Sequence, residues 1–270
     1  MGYRLLIACI IGVFLPTFLT ADPVTLQVLD KEVIAEVSIA GIYQVGLKIT
    51  FEEVIGLNAN ALSITAAQIN PSDLALLSRL KDASLISIPT QLPVMINVRP
   101  SPQSTLTFTG IVDIDLTTSN LSFQPSLRLM KAREGGTFED VTTFSGVGSY
   151  RVRGTSGDFS DLLIAADLRN STTVINSKFD LLQSTLNANA SNIEAAMLQN
   201  LQSKLDAARA NFNQGLKAQA VEVLDSMIID IKSDAGQSIP NSYRANDPTT
   251  INVAGSLRAQ AAQLIFSLRL

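Results

Sequence analysis

From Val24 to about Leu168 the apolar positions recur every second residue. Val45, Leu47, Ile49 and Phe51 are separated by Gly46, Lys48 and Thr50, and Val94, Ile96 and Val98 by Met95 and Asn97. The longest run places Leu106, Phe108, Gly110, Val112, Ile114 and Leu116 on one side, with Thr105, Thr107, Thr109, Ile111, Asp113 and Asp115 between them. A period of two describes antiparallel strands with one face in a core and one in water. Further strands are expected at Val24–Val28, Val33–Ile39, Leu62–Ile69, Leu127–Lys131, Gly148–Arg153 and Asp161–Ala166. Turn residues punctuate the run at Asn70-Pro71-Ser72-Asp73, Arg99-Pro100-Ser101-Pro102, Glu134-Gly135-Gly136 and Gly154-Thr155-Ser156-Gly157. Many short strands so spaced predict two packed sheets. A helical turn is expected at Ser72–Leu80, where Leu74, Leu77 and Leu80 share a face behind Asp73.

After Asn170 the spacing changes to three and four. Leu198, Leu201, Leu205, Ala208 and Phe212 form one seam. Val221, Leu224, Ile228 and Ile231 form another, and Ala254, Leu257, Ala261, Leu264 and Leu268 a third. Each is the stripe of an amphipathic helix. A fourth helix is expected at about Thr172–Leu186. Ser191 with Glu194 reads as a capping box, and Gly215 and Gly236 as C-caps. Pro240 to Pro248 reads as a loop. The predicted fold is α+β by segregated parts: an N-terminal antiparallel β-sandwich over residues 22–170, then a small α-helical bundle over 171–270 that buries its seams internally.

Residues 1–21 differ from both parts. Arg4 is the only charge before Asp22, and Leu5 to Leu19 is almost wholly apolar and ends in Thr20-Ala21. That order predicts a secretory signal peptide cleaved between Ala21 and Asp22. The run is short for a span and is broken by Pro16. Cys9 follows Leu6-Ile7-Ala8 as in a lipobox, but most of the apolar stretch lies after it. No later apolar run is long enough to span a membrane. The expected location is extracytoplasmic, secreted or periplasmic, with a bacterial export route favoured by the scarcity of cysteine.

Composition narrows the chemistry. The chain has one cysteine, no histidine and no tryptophan. Removal of the leader would leave no thiol for a disulfide, a zinc site or a nucleophile. Without histidine, Ser–His catalysis and most transition-metal sites are excluded. Net charge is −4, with the acidic excess in residues 22–176 and a balance in 177–270. No basic stripe supports nucleic-acid binding.

Asp113 and Asp115 flank Ile114, so both carboxylates lie on one strand face. They are candidate ligands for a hard cation such as calcium, although such an ion needs several more oxygens. A solvated strand face is the simpler reading. The acid pairs Glu52-Glu53, Glu139-Asp140 and Asp158/Asp161 would serve a hydrolase only if two met across a cleft with one desolvated. The glycines of Gly154–Ser160 could cradle an anion, but a tight turn with Phe159 in the core is the plainer expectation. Phosphate-loop, nucleophile-elbow and dinucleotide motifs are absent from the sequence.

Two stretches carry a resemblance. Ser126–Lys131, Gly135–Thr142, Gly148–Val152 and Asp158–Ile164 resemble the closing strands of immunoglobulin-like sandwiches in bacterial surface and secreted proteins. Lys204–Arg209 to Asn213-Gln214-Gly215, then Lys217–Val221 to Ile228, resembles the helical hairpins of FIMAH-type modules, whose histidine has no counterpart here. As a whole the chain resembles a secreted bacterial family of unknown function that combines both parts. The resemblance implies a structural scaffold and transfers no functional residue. The expected role is a non-enzymatic exported protein for binding or assembly, with no cofactor. Its expected partner is a protein or envelope component, or further copies of itself. The rival is a carboxylate-dependent hydrolase of an extracellular polymer.

Overall fold

The computed structural model describes residues 24–147 and 149–270. The expected cleavage at Ala21/Asp22 lies outside them. The described chain is mixed α+β, with strands first and helices after. In order come β1 (Thr25–Leu29), β2 (Glu32–Ile39), β3 (Tyr43–Ile55), β4 (Leu62–Gln68), α1 (Leu74–Leu77), β5 (Ile86–Ser87), β6 (Val94–Pro100), β7 (Thr107–Ser122), β8 (Leu127–Ala132), β9 (Glu139–Asp140), β10 (Thr142–Gly146), β11 (Ser149–Ser156) and β12 (Asp161–Asp167). Then follow α2 (Ser171–Ala188), α3 (Ala195–Asn213), α4 (Lys217–Ser233), β13 (Tyr243–Arg244) and α5 (Val253–Arg269).

Two antiparallel sheets form. One runs β1-β2-β3-β7-β11-β10, with β13 added beside β7. The other runs β4-β6-β12-β8-β9, with β5 added beside β12. The alternation dictates the layering. Val45, Leu47, Ile49 and Phe51 of the first sheet share one core with Ile64, Val94, Ile96, Val98, Leu127 and Leu129 of the second. Phe51, Phe108 and Phe159 close one part of this core edge to face or tilted, with centroids 5.5–6.0 Å apart.

The pattern of half-buried strands holds for β4 and β6 of the second sheet but not for β12. β12 is buried along nearly its whole length, because Leu162 and Ile164 face the common core while Leu163 and Ala165 face a second cluster. That cluster is roofed by Leu76 of α1 and by Leu80, Ile86 and Ile88 from the connection that follows. Asp73 caps α1 by accepting from the Ala75 N–H at 2.9 Å.

The helices bury their seams on one another, as expected. Ile175, Phe179, Leu182, Leu201, Leu205, Leu224, Ile231, Leu257 and Leu264 make a core separate from that of the sheets. Asn170 caps α2 through Thr173 N–H at 2.8 Å. The capping box at Ser191 does not form. α3 begins at Ala195, and the Glu194 carboxylate accepts from the Ser238 hydroxyl at 2.9 Å instead. Here a contact distant in sequence displaces the local one. The Pro240–Pro248 loop is also corrected, because it contains β13, whose Tyr243 ring stacks on Phe108 with centroids 4.8 Å apart.

Candidate functional site

Several polar and charged side chains meet where α5 packs against the first sheet. The meeting point begins at an irregularity. Phe51 pairs with Val112 and Glu53 with Thr109, so Gly110 and Ile111 together stand opposite Glu52. This is a β-bulge, and Gly110 takes φ +76°, a conformation that suits glycine. The bulge turns the Gly110 N–H and C=O away from the ladder. Asn241 Oδ1 accepts from the N–H at 2.9 Å, and Asn252 Nδ2 donates to the C=O at 2.7 Å.

Asn252 also opens α5. Its Oδ1 accepts from Gly255 N–H at 3.0 Å, and its Nδ2 reaches Gly157 C=O at 3.3 Å. The backbones of helix and sheet approach closely here. A Cβ on Gly255 would lie 2.2 Å from the Gly110 carbonyl oxygen, and one on Gly157 would lie 2.7 Å from the Ser256 nitrogen.

Further along α5 the contacts become ionic. Arg258 donates to both oxygens of Glu52, at 2.8 and 3.3 Å, and Lys232 of α4 lies 3.3 Å from the same carboxylate. Burial disfavours the Glu52 charge, yet these cations and the Ile111 N–H hold the carboxyl below its ordinary range. Gln263 donates to Thr155 C=O at 2.8 Å. Lys178 of α2 donates to Gln263 C=O at 3.1 Å and sits 2.8 Å from Asp140. Both partners of that pair are buried. Burial opposes the Asp140 charge, but Lys178 and Thr142 outweigh it and hold the carboxyl low. The same burial pushes the Lys178 ammonium down, against the pull of Asp140.

The acids singled out from the sequence do not meet across a cleft. Glu53 pairs with Lys31 at 2.8 Å and Glu139 with Lys81 at 2.7 Å. Asp158 takes Lys131 and Arg133, while Asp161 takes Arg79 at 2.9 Å and Arg99 at 2.8 Å. Asp115 is held by Arg151 and Arg153 at 3.4 and 3.0 Å. Asp113 stands apart from these. It lies between Thr50 and Thr155 of the neighbouring strands. Burial raises its pKa; Arg153 pulls against this, and Asp115 and Glu52 reinforce it. Among the described residues no group of three or more carboxylates gathers as a metal cage.

The Gly154–Ser160 segment is partly strand. Gly154 pairs with both Ile114 and Thr142, and a Cβ there would sit 2.7 Å from the Val141 carbonyl oxygen. Gly157 serves the helix contact, and Phe159 is buried in the core, as its apolar ring requires. Beside the bulge lies an open hollow of about 600 Å³ bordered by Thr109, Gly236, Asn241, Ser242, Thr249, Thr250 and Ile251. Its border is neutral, with hydroxyls and amides but no charged side chain.

A model of a family of unknown function, DUF6689, matches residues 9–270. The chain belongs to that family. The match takes in both sheets, all the helices and the junction between them. No curated protein matches the chain. No helix among the described residues is long and apolar enough to cross a membrane.

Sequence reasoning missed Asn241, Asn252, Arg258 and Lys178. Signals for some of them were present. Gly110 interrupts a strand pattern and Gly255 a helix pattern, each a mark of close backbone approach. Lys178 and Arg258 lie beside seam residues of their helices, where a charge is out of place unless paired.

Proposed function

We propose that this member of the family is an exported, non-enzymatic protein that acts by binding or assembly outside the cytoplasm. The observation that carries the reading is the fate of its charges. The paired acids singled out from the sequence face cations, with Asp113 the exception, and the pairs Glu52–Arg258 and Asp140–Lys178 join the helices to the sheets. Groups so engaged hold parts together rather than wait for substrate. The missing histidine and the neutral hollow point the same way. We also carry as proposals the immunoglobulin-like kinship of the sandwich, the FIMAH-like kinship of the helices and a bacterial envelope setting.

Two experiments test the proposal. Cell fractionation of the native host should recover the chain outside the cytoplasm and shortened by its leader; recovery of full-length chain in the cytoplasm would refute export. The purified protein should also turn over no extracellular polysaccharide or peptide polymer. Cleavage by the wild type that is lost in Asp113→Asn would refute the non-enzymatic role, because Asp113 is the desolvated acid without a cation at bonding distance.

A further inference from the structure

Asp113 breaks the rule that the other strand acids follow. Every other partly or fully buried acid on the described strands has a lysine or arginine in ion-pair contact. Among the described residues Asp113 has no such contact, and its carboxylate accepts no hydrogen bond. It is half-buried inside the first sheet, in a row that runs Thr50, Asp113, Thr155 across β3, β7 and β11. Arg153 attracts it but is turned to Asp115, which it holds through Nε at 3.1 Å and Nη2 at 3.0 Å. The Thr155 hydroxyl is buried in the same row and has no partner either. Helix α5 reaches both sides of Asp113 without reaching Asp113 itself: Gln263 bonds the Thr155 carbonyl, and Arg258 bonds Glu52. Toward β2, Thr50 and Lys48 stay partly exposed. A carboxylate so placed, pressed by burial and by Asp115 and Glu52, is unfavourable until a cation meets it.

We propose that Asp113 is the contact point for a partner protein and that the group it receives is a guanidinium, an arginine side chain laid on the outer face of the sheet beside α5. The proposal rests on the binding reading above and names the chemistry of the partner. Charge complementarity sets the sign of that partner. The two unengaged oxygens set the group, because a guanidinium offers a carboxylate two parallel N–H donors where an ammonium offers a point charge. The chain uses the same solution nearby: Arg258, carried by a helix on this face, donates to both oxygens of Glu52. Arginine is also among the residues enriched at the energetic centres of interfaces. A partner arginine at Asp113 would leave the pairs at Glu52 and Asp115 intact, so no internal contact is given up.

Titration of the protein with Nα-acetyl-arginine methylamide, followed by NMR, tests this. The amide resonances of Thr50, Asp113 and Thr155 should shift and saturate at millimolar probe. The Asp113 carboxyl pKa should fall, since a bound cation favours the charged form. The neutral isostere Nα-acetyl-citrulline methylamide should bind at least about tenfold more weakly, as loss of a charged hydrogen-bonded contact predicts. Asp113→Asn should abolish the response to the arginine probe and melt no earlier than the wild type, because it removes an unpaired charge. Shifts that persist in Asp113→Asn, that the citrulline probe matches, or that spread alike over exposed acids such as Glu36 and Asp206 overturn the proposal. So does the absence of any response. None of these outcomes touches the non-enzymatic reading, which stands or falls on polymer turnover.

Discussion

α5 has two sides that obey different rules. Toward the other helices it presents Ala254, Leu257, Ala261, Leu264 and Leu268, a plain apolar seam. Toward the sandwich it presents Gly255, Arg258 and Gln263, and these meet a bulge, a carboxylate and a backbone carbonyl. The first contact needs only hydrophobic side chains of fitting size, so many sequences could make it. The second needs named partners at fixed places. A buried charge that loses its partner is left desolvated and uncompensated, whereas a shortened leucine leaves only a cavity.

Substitutions can break this contrast in graded steps. The largest effect is expected from Lys178→Ala, which leaves the buried Asp140 only the more distant Arg128 at 3.9 Å and should cost about 3–5 kcal/mol in urea unfolding. Replacing both partners, as Lys178→Met with Asp140→Leu, should restore much of that loss, since apolar replacement of a buried ion pair is often neutral. If the double variant is as unstable as the single one, the pair is not what the junction depends on. On the seam side, Leu264→Ala should cost about 2–5 kcal/mol through lost burial and a cavity. No second substitution on the sandwich should rescue it.

Smaller effects probe the close approach. Alanine is the better helix former by about 1 kcal/mol, so Gly255→Ala would stabilise an isolated α5. Against the Gly110 carbonyl the overlap should cost about 1–3 kcal/mol, and the expected sign is a net loss in thermal unfolding. A gain would mean that helix and sheet are not in contact there. Asn252→Ala should cost about 1 kcal/mol for the cap, and more if its bonds to Gly110 and Gly157 are strong.

The mildest probe is pH. Glu52 and Asp140 have folded pKa values below their unfolded ones, so their stabilisation is complete above about pH 4, the unfolded carboxylate range. It drains as pH falls through the folded values. Unfolding measured against pH should therefore show a decline on the acid side. Asp140→Asn should flatten part of that decline, and an unchanged profile would remove Asp140 from the junction's electrostatics.

The sequence determined the long elements. Alternation at Val45–Phe51 and the three-four spacing of Leu201, Leu205 and Ala208 reflect the geometry of a strand and a helix, and each side chain's face follows from its own neighbours. The seams of the helices could be read for the same reason. The double burial of β12 was less visible, because Leu163 and Ala165 are roofed by residues far upstream, and a run of apolar residues does not say what covers it. β13 was invisible. Two residues, Tyr243 and Arg244, make a strand only because β7 offers them an edge and Phe108 a ring to stack on.

The candidate site was almost wholly a tertiary matter. Asp113 and Asp115 share a face, as their spacing requires, yet Asp115 is met by two arginines from β11 and Asp113 is not. Glu52 and Arg258 are 206 positions apart, and nothing local to either announces the other. Charges are indifferent to periodicity. Their partners are chosen by which surfaces meet, and those surfaces meet where Gly110, Gly157 and Gly255 let backbone touch backbone. The sequence decided the long strands and helices, and only their packing, with α5 on the bulged sheet, decided which charges would face each other.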